Sequence, residues 1–213
     1  MLHIQSFEFN PLRENTYVIY NEFNDCLIID AGNYFQEEND EIVNFISAHK
    51  LNPLKLINTH CHLDHVLGNK FLSEKYGLQL HLHKDELPVL NFAPTTGLMY
   101  QVPFDNYIGE FIFLEERDKI LLGKDELSIL LTPGHSPASL SFYCENQNFV
   151  IAGDVLFEGS IGRYDLPGGD LDVLLSSIHK KLMVLPDETK VYPGHGNATT
   201  IGAERQSNPY LIR

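Results

Sequence analysis

Hydrophobic and polar positions divide this chain into short alternating runs, separated by turns and a few helical stretches. "LHIQSFEF" at residues 2–9 alternates apolar and polar side chains, as a strand with one buried face does. "NTYVIY" and "CLIIDAG" follow, the second an apolar run ended by a turn, and both read as strands. From Glu37 to Lys50 the period changes. Ile42, Phe45 and Ile46 share one face, with Val43 beside them, which predicts a helix. Pro53 precedes another strand, "LKLINT", and "VLGNKFLSEKYG" then reads as a helix stopped at Gly77, a C-cap. "LQLHLH" is a short strand. The stretch from Pro88 to Glu110 has Phe92, Met99, Tyr100, Phe104, Tyr107 and three prolines but little periodicity. It is expected to be a long ordered excursion that either covers a site or packs its own aromatics.

The second half repeats the order. "LSILLT" runs into the turn "PGHS", and "SLSFYC" and "NFVIAGD" form strands. After Asp170 an amphipathic helix carries Leu171, Leu174, Leu175, Ile178 and Leu182 in register. "KVYPGHG" is a strand entering a glycine turn, and a short helix closes the chain. Each half is strands first and helix later. This predicts an α/β protein of two strand-plus-helix halves, sheets inside and helices outside, in one domain spanning residues 1–213 without a linker.

Composition narrows the function classes. The formal net charge of -14 opposes binding to a polyphosphate backbone, and no basic run exceeds the pair Lys180-Lys181. No apolar run is long enough to cross a bilayer, and "MLHIQSFEFN" lacks the basic start and apolar core of a signal peptide. The three cysteines, Cys26, Cys61 and Cys144, are odd in number and widely spaced, which fits a reducing compartment. The expectation is a cytoplasmic protein with a small-molecule substrate, no nucleic acid or membrane partner, and a monomeric or homodimeric state.

The chemistry concentrates in "NTHCHLDH", Asn58 to His65. His60, His62, Asp64 and His65 stand there, while His135 lies in "TPGHS", Asp154 in "AGD" and His195 in "YPGHG". Each group follows a strand, at the kind of loop where a rigid sheet presents chemical side chains. Five histidines and two aspartates without a cysteine thiolate suit zinc and neighbouring divalent ions such as iron or manganese. Seven donors exceed what one tetrahedral ion uses and suit two ions if one carboxylate bridges.

This ordered set resembles the metallo-β-lactamase superfamily, whose H-x-H-x-D-H motif precedes a separate His, a bridging Asp and a final His. The resemblance covers nearly the whole chain, "NTYVIY" and "LIIDAG" included. It implies a four-layer αββα sandwich. It also implies a first metal on His60, His62 and His135, a second on Asp64, His65 and His195, and Asp154 between them. Zinc is the first choice for both ions. A hydroxide held between the ions would attack a carbonyl, with Asp64 taking or relaying a proton. Within the superfamily "SIGRYDLPGGD" and "YPGHGNATTIGAERQSNPYL" resemble the short glyoxalase II-like hydrolases, which act on thioesters such as S-lactoylglutathione. Full-length glyoxalase II adds a helical domain with basic residues for the glutathione carboxylates. This chain ends at Arg213, so the metal chemistry carries over and the glutathione specificity does not follow. A one-iron persulfide dioxygenase, whose motif also contains a cysteine, a lactone hydrolase and a metal-binding scaffold are the alternatives.

The remaining polar residues divide by neighbourhood. His81 and His83 share a strand face but lack a third partner, and they read as structural. His3, His49 and His179 read as surface or core-edge residues. Cys61 points away from the flanking histidines in an extended segment and reads as packed, and Cys26 and Cys144 as small core residues. Asp30 and Thr59 are candidates to orient the imidazoles, a turn-forming role for Asp30 being equally open. Arg163 is expected to pin its loop through Asp165 or Asp170 rather than hold substrate, and nothing forces a role on Tyr164.

Overall fold

The computed structural model describes residues 1–212. The chain divides into two compact units, one of Met1–Leu114 with Leu122–Lys124, the other of Glu115–Leu121 with the chain from Asp125 onward.

The first unit is built on a six-stranded sheet. Its strands are β1 (His3–Phe9), β2 (Glu14–Tyr20), β3 (Asp25–Ile29), β4 (Asn52–Ile57), β5 (Leu80–Leu82) and β6 (Phe111–Phe113), paired in chain order. β1, β2 and β3 form an antiparallel meander, in register at Phe7↔Thr16 and Val18↔Ile28. β3, β4, β5 and β6 run parallel. The alternation of β1 buries Phe7 and Phe9. In β3 Cys26, Leu27, Ile28 and Ile29 are all buried, as a parallel strand covered on both faces requires. Helix α1 (Gln36–Ala48) supplies one crossover. Glu38 in its first turn accepts from the backbone N–H groups of Tyr34 and Phe35 at 2.7 and 3.1 Å, and its other oxygen accepts from Asn10 N at 2.7 Å. Ile42 and Ile46 enter the core, and Phe45 meets Phe7 edge-on at 5.4 Å. Helix α2 (Asn69–Tyr76) ends at Gly77 with φ 67°, the left-handed cap expected from the sequence.

The stretch from Pro88 to Glu110 differs from the sequence expectation. Its first part is helix α3 (Leu87–Met99). The pattern hid it because the helix is apolar nearly all round and gives no periodic signal. Pro88 sits in the first turn, where no N–H is needed. Pro94 lies inside the helix and leaves the Leu90 carbonyl without its usual donor. Asn106 Nδ2 supplies one at 2.7 Å, so the loop after the helix repairs the break.

The second unit holds a second sheet of β7 (Lys119–Leu122), β8 (Asp125–Leu131), β9 (Leu140–Cys144), β10 (Phe149–Gly153), β13 (Lys190–Pro193) and β14 (Thr199–Thr200). The ribbon β11 (Leu156–Phe157) and β12 (Ser160–Ile161) stands beside it. The order is β14-β13-β10-β9-β8-β7, with β10 and β13 parallel and β9 antiparallel to both β8 and β10. Helix α4 (Leu171–Ser177) is capped by Asp170, whose Oδ1 accepts from Val173 N at 2.9 Å. It continues through a wide turn at Ile178–Leu182, burying Leu174, Ile178 and Leu182. Helix α5 (Ile201–Ser207) is capped by the Thr200 hydroxyl. Gly134 has φ 121° and lies against the backbone of Leu174, so the "PGHS" turn admits no side chain there. Among the described residues no helix is long and apolar enough to cross a membrane.

Candidate metal centre

In the first unit β4 hands the chain to His60, His62, Asp64 and His65. His60 and His65 are fully buried and their ring centroids lie 4.1 Å apart; His60 and His62 are 4.9 Å apart. A single 3-10 turn, Leu63–His65, packs Asp64 and His65 close in space. The loop is held from several sides. Asn58 Nδ2 donates to the His65 carbonyl at 2.8 Å, Asn10 Nδ2 to the Asp64 carbonyl at 3.0 Å, and Glu86 Oε2 accepts from Cys61 N at 3.0 Å. Gly32 passes so near that a Cβ would lie 2.8 Å from the Asp64 carbonyl oxygen.

The hydrogen bonds also select which ring nitrogens face inward. Thr59 donates its hydroxyl to Asp30 Oδ2 at 2.6 Å, so the same oxygen can only accept from His60 Nδ1, 3.0 Å away. His65 Nδ1 faces Asp30 Oδ2 at 3.1 Å. The His60 ring therefore carries its proton on Nδ1 and offers the Nε2 lone pair, and the His65 ring turns Nδ1 toward Asp30. Asp30, His60 and His65 bring ligand atoms within 4.8 Å of one another. Asp30 is nonetheless a brace and not a ligand, since Oδ1 accepts from Thr59 N at 2.7 Å and Oδ2 from the hydroxyl. Of its two open roles, it fills both. It sits at φ 52°, a left-handed turn that Asp tolerates, and it orients imidazoles. Glu14, fully buried behind His65, has its carboxyl pushed well up by burial and accepts from Thr16 Oγ1 at 2.9 Å.

In the second unit β10 delivers Asp154 and β13 delivers His195, while His135 lies on the turn after β8. Asp154 Oδ2 lies 3.5 Å from His135 Nε2 and 3.6 Å from His195 Nε2. His135 Nδ1 donates to the carbonyl of Arg163 at 2.7 Å, again leaving Nε2 inward. Arg163 thus serves the centre through its backbone. Its guanidinium pairs with Asp165 at 2.8 and 3.0 Å, the loop-pinning role read from the sequence, while Asp170 is committed to capping α4. Gly162 passes against Asp154, where a Cβ would overlap the Asp154 carbonyl oxygen and reach within 3.1 Å of His135 Nδ1.

These donor sets fit a divalent ion. The 3.5 and 3.6 Å separations around Asp154, and 3.7 Å between Asp64 Oδ2 and His65 Nε2, are too long for hydrogen bonds. They lie close to the roughly 3.4 Å that separates two ligands each about 2.1 Å from a tetrahedral ion. The other sequence candidates stand apart. His81 is buried with Nδ1 against the carbonyls of Leu56 and Gln79, and burial, then Lys55, lowers its pKa. His83 caps the turn before α3, accepting from Asp85 N at 3.2 Å. Cys61 is buried, with its thiol pushed well above the usual range by desolvation. Asn10, Asn58, Glu14 and Glu86 were not found by sequence reasoning. Only Asn58, next to the motif, carried a positional signal.

Residues 9–195, across both units, match the family described as Metallo-beta-lactamase superfamily. The chain is 32% identical over 213 residues to the hydroxyacylglutathione hydrolase GloC of Haemophilus influenzae, covering 99% of this chain and 98% of that protein. Its fold superimposes on BLEG-1 B3 metallo-β-lactamase with a TM-score of 0.91 and 33% identity, covering 99% of this chain and all of that one. TTHA1623, solved in a di-iron-bound form, gives a TM-score of 0.88 at 36% identity, with 97% of this chain and 100% of that chain covered. The chain belongs to the metallo-β-lactamase superfamily, a family of metallo-hydrolases, and has its α/β fold of mixed sheets and helices.

Proposed function

We propose that the protein is a two-metal hydrolase of small thioesters of the S-lactoylglutathione kind. The observation that carries this reading is the single oxygen of Asp154 facing both His135 and His195, an arrangement open to a carboxylate shared between two ions. His60, His62 and His135 would hold one ion, Asp64, His65 and His195 the other, with Asp154 shared. Bound divalent ions bring the pKa of a coordinated water down to about 7 and polarise a carbonyl. The protein's own part is orientation and proton transfer. Asp30 and Thr59 fix the rings of His60 and His65, and the Arg163 carbonyl fixes that of His135. Asp64 carries the proton, taking it from the attacking water and delivering it to the departing sulfur. The likeness to GloC supports the thioester class. Zinc is the first choice of metal, and the di-iron form of TTHA1623 keeps iron beside it, with manganese also compatible with these ligands. The reduced cysteines fit a cytoplasmic protein.

The likeness to BLEG-1 favours a second reading, hydrolysis of a β-lactam amide by the same residues. Metal-replete protein assayed against thioesters, β-lactams, lactones and, with oxygen uptake, a persulfide separates the readings. Thioester turnover abolished by Asp154→Asn is the expected result. Turnover of β-lactams alone, oxygen consumption with persulfide, or no turnover of any would each reject the thioesterase.

A further inference from the structure

Beyond β4 the backbone of the metal loop has left the sheet. Asn58 N still bonds the His81 carbonyl at 2.9 Å, but further on the N–H groups must find other acceptors. For Cys61, between His60 and His62, the acceptor is Glu86 Oε2 at 3.0 Å. Glu86 is fully buried and immediately precedes α3. A buried carboxylate is costly unless it is bonded, so this one is retained for what it holds. The far end of the same helix reaches the loop as well. A Cβ on Gly97 would lie 2.6 Å from the Val102 carbonyl oxygen and 3.4 Å from Leu63 Cδ1. Leu63, within the metal motif, packs with Leu67 and Val102. The apolar helix thus grips the loop at both ends.

We infer that Glu86 is a positioning residue for the metal-binding loop, and that α3 is a splint that keeps His60 and His62 at their ligand spacing. The inference rests on the reading that this loop holds metal. It assigns the excursion the role of brace, where the sequence left cover and self-packing open. A Gln at 86 keeps an oxygen acceptor for Cys61 N, whereas an Ala removes it.

Cobalt(II)-loaded protein tests this through the visible ligand-field bands and the rate of cobalt loss to EDTA, with the melting temperature of metal-free protein measured alongside. Glu86→Ala is expected to release cobalt about tenfold faster or more and to shift the bands, consistent with the effect of removing a group that orients ligands. Glu86→Gln is expected to restore both, and Gly97→Ala to give an intermediate loss. Wild-type release and bands in Glu86→Ala, or a Gln variant as impaired as the Ala variant, overturn the inference. If Glu86→Ala does not fold, an unchanged release rate in Gly97→Ala does so instead. A wild-type protein that takes up cobalt while its variants hold it equally well defeats only this inference. A wild-type protein that binds none defeats the underlying metal reading too.

Discussion

Asp30 holds Thr59 with both carboxylate oxygens, Oδ1 on the backbone N–H at 2.7 Å and Oδ2 on the hydroxyl at 2.6 Å. The pair fixes the orientation of two imidazoles at once, because the Thr59 hydroxyl receives His60 Nδ1 and Asp30 Oδ2 faces His65 Nδ1. Replacing Asp30 by Ala frees both rings. Metal affinity, measured by chelator competition, is expected to fall about 10- to 100-fold. An unchanged affinity would remove Asp30 from the account.

Gly162 tests the second unit in the same way. The Cβ of Gly162→Ala overlaps the Asp154 carbonyl oxygen and crowds His135. The backbone must shift just where Asp154 is aimed. Turnover is expected to drop about 100-fold, the scale of a misplacement near 1 Å, with the circular dichroism spectrum preserved. Wild-type turnover in this variant would show that the fit around Asp154 is loose.

The thiols give a prediction on solvent access. Cys26, Cys61 and Cys144 are buried and free, and desolvation pushes the Cys26 thiol up to about 12. A thiol-reactive dye is expected to label none of them in folded protein and all three in denaturant. Because an unfolded cysteine ionises near pH ~8.5 and the folded Cys26 only near about 12, stability falls as pH rises between those values. Rapid labelling of native protein at neutral pH would contradict this burial.

His81 sets the sign of an acid effect. Its folded pKa is lowered by burial and then by Lys55, so the unfolded chain takes up a proton first as pH falls through about 6.5. Stability present above that pH is lost below it. In metal-free protein, His81→Asn is expected to lose less stability than wild type between pH ~7 and ~5, by urea denaturation. Parallel curves for the two proteins would refute the assignment.

The sequence revealed those parts of the molecule that leave a pattern. Strand alternation, the helix face of Ile42 and Ile46 and the Gly77 cap were all legible, since period and spacing are local properties. Helix α3 was not, because a helix apolar on nearly every side has no period and its prolines argue for a loop. The braces were illegible for another reason. Glu86 acts on a backbone N–H, Asn10 on a backbone carbonyl, and Arg163 through its own carbonyl, and such contacts impose no partner residue type. Asp30 and Thr59 could be named because each lies at the end of a strand that feeds the turn.

Anomalous X-ray scattering from crystals of protein purified with its native metal tests the central claim most directly. The expected map shows two ions per chain, one on His60, His62 and His135, the other on Asp64, His65 and His195, with Asp154 between them. A single ion, none, or ions bound away from Asp154 would contradict the two-metal hydrolase.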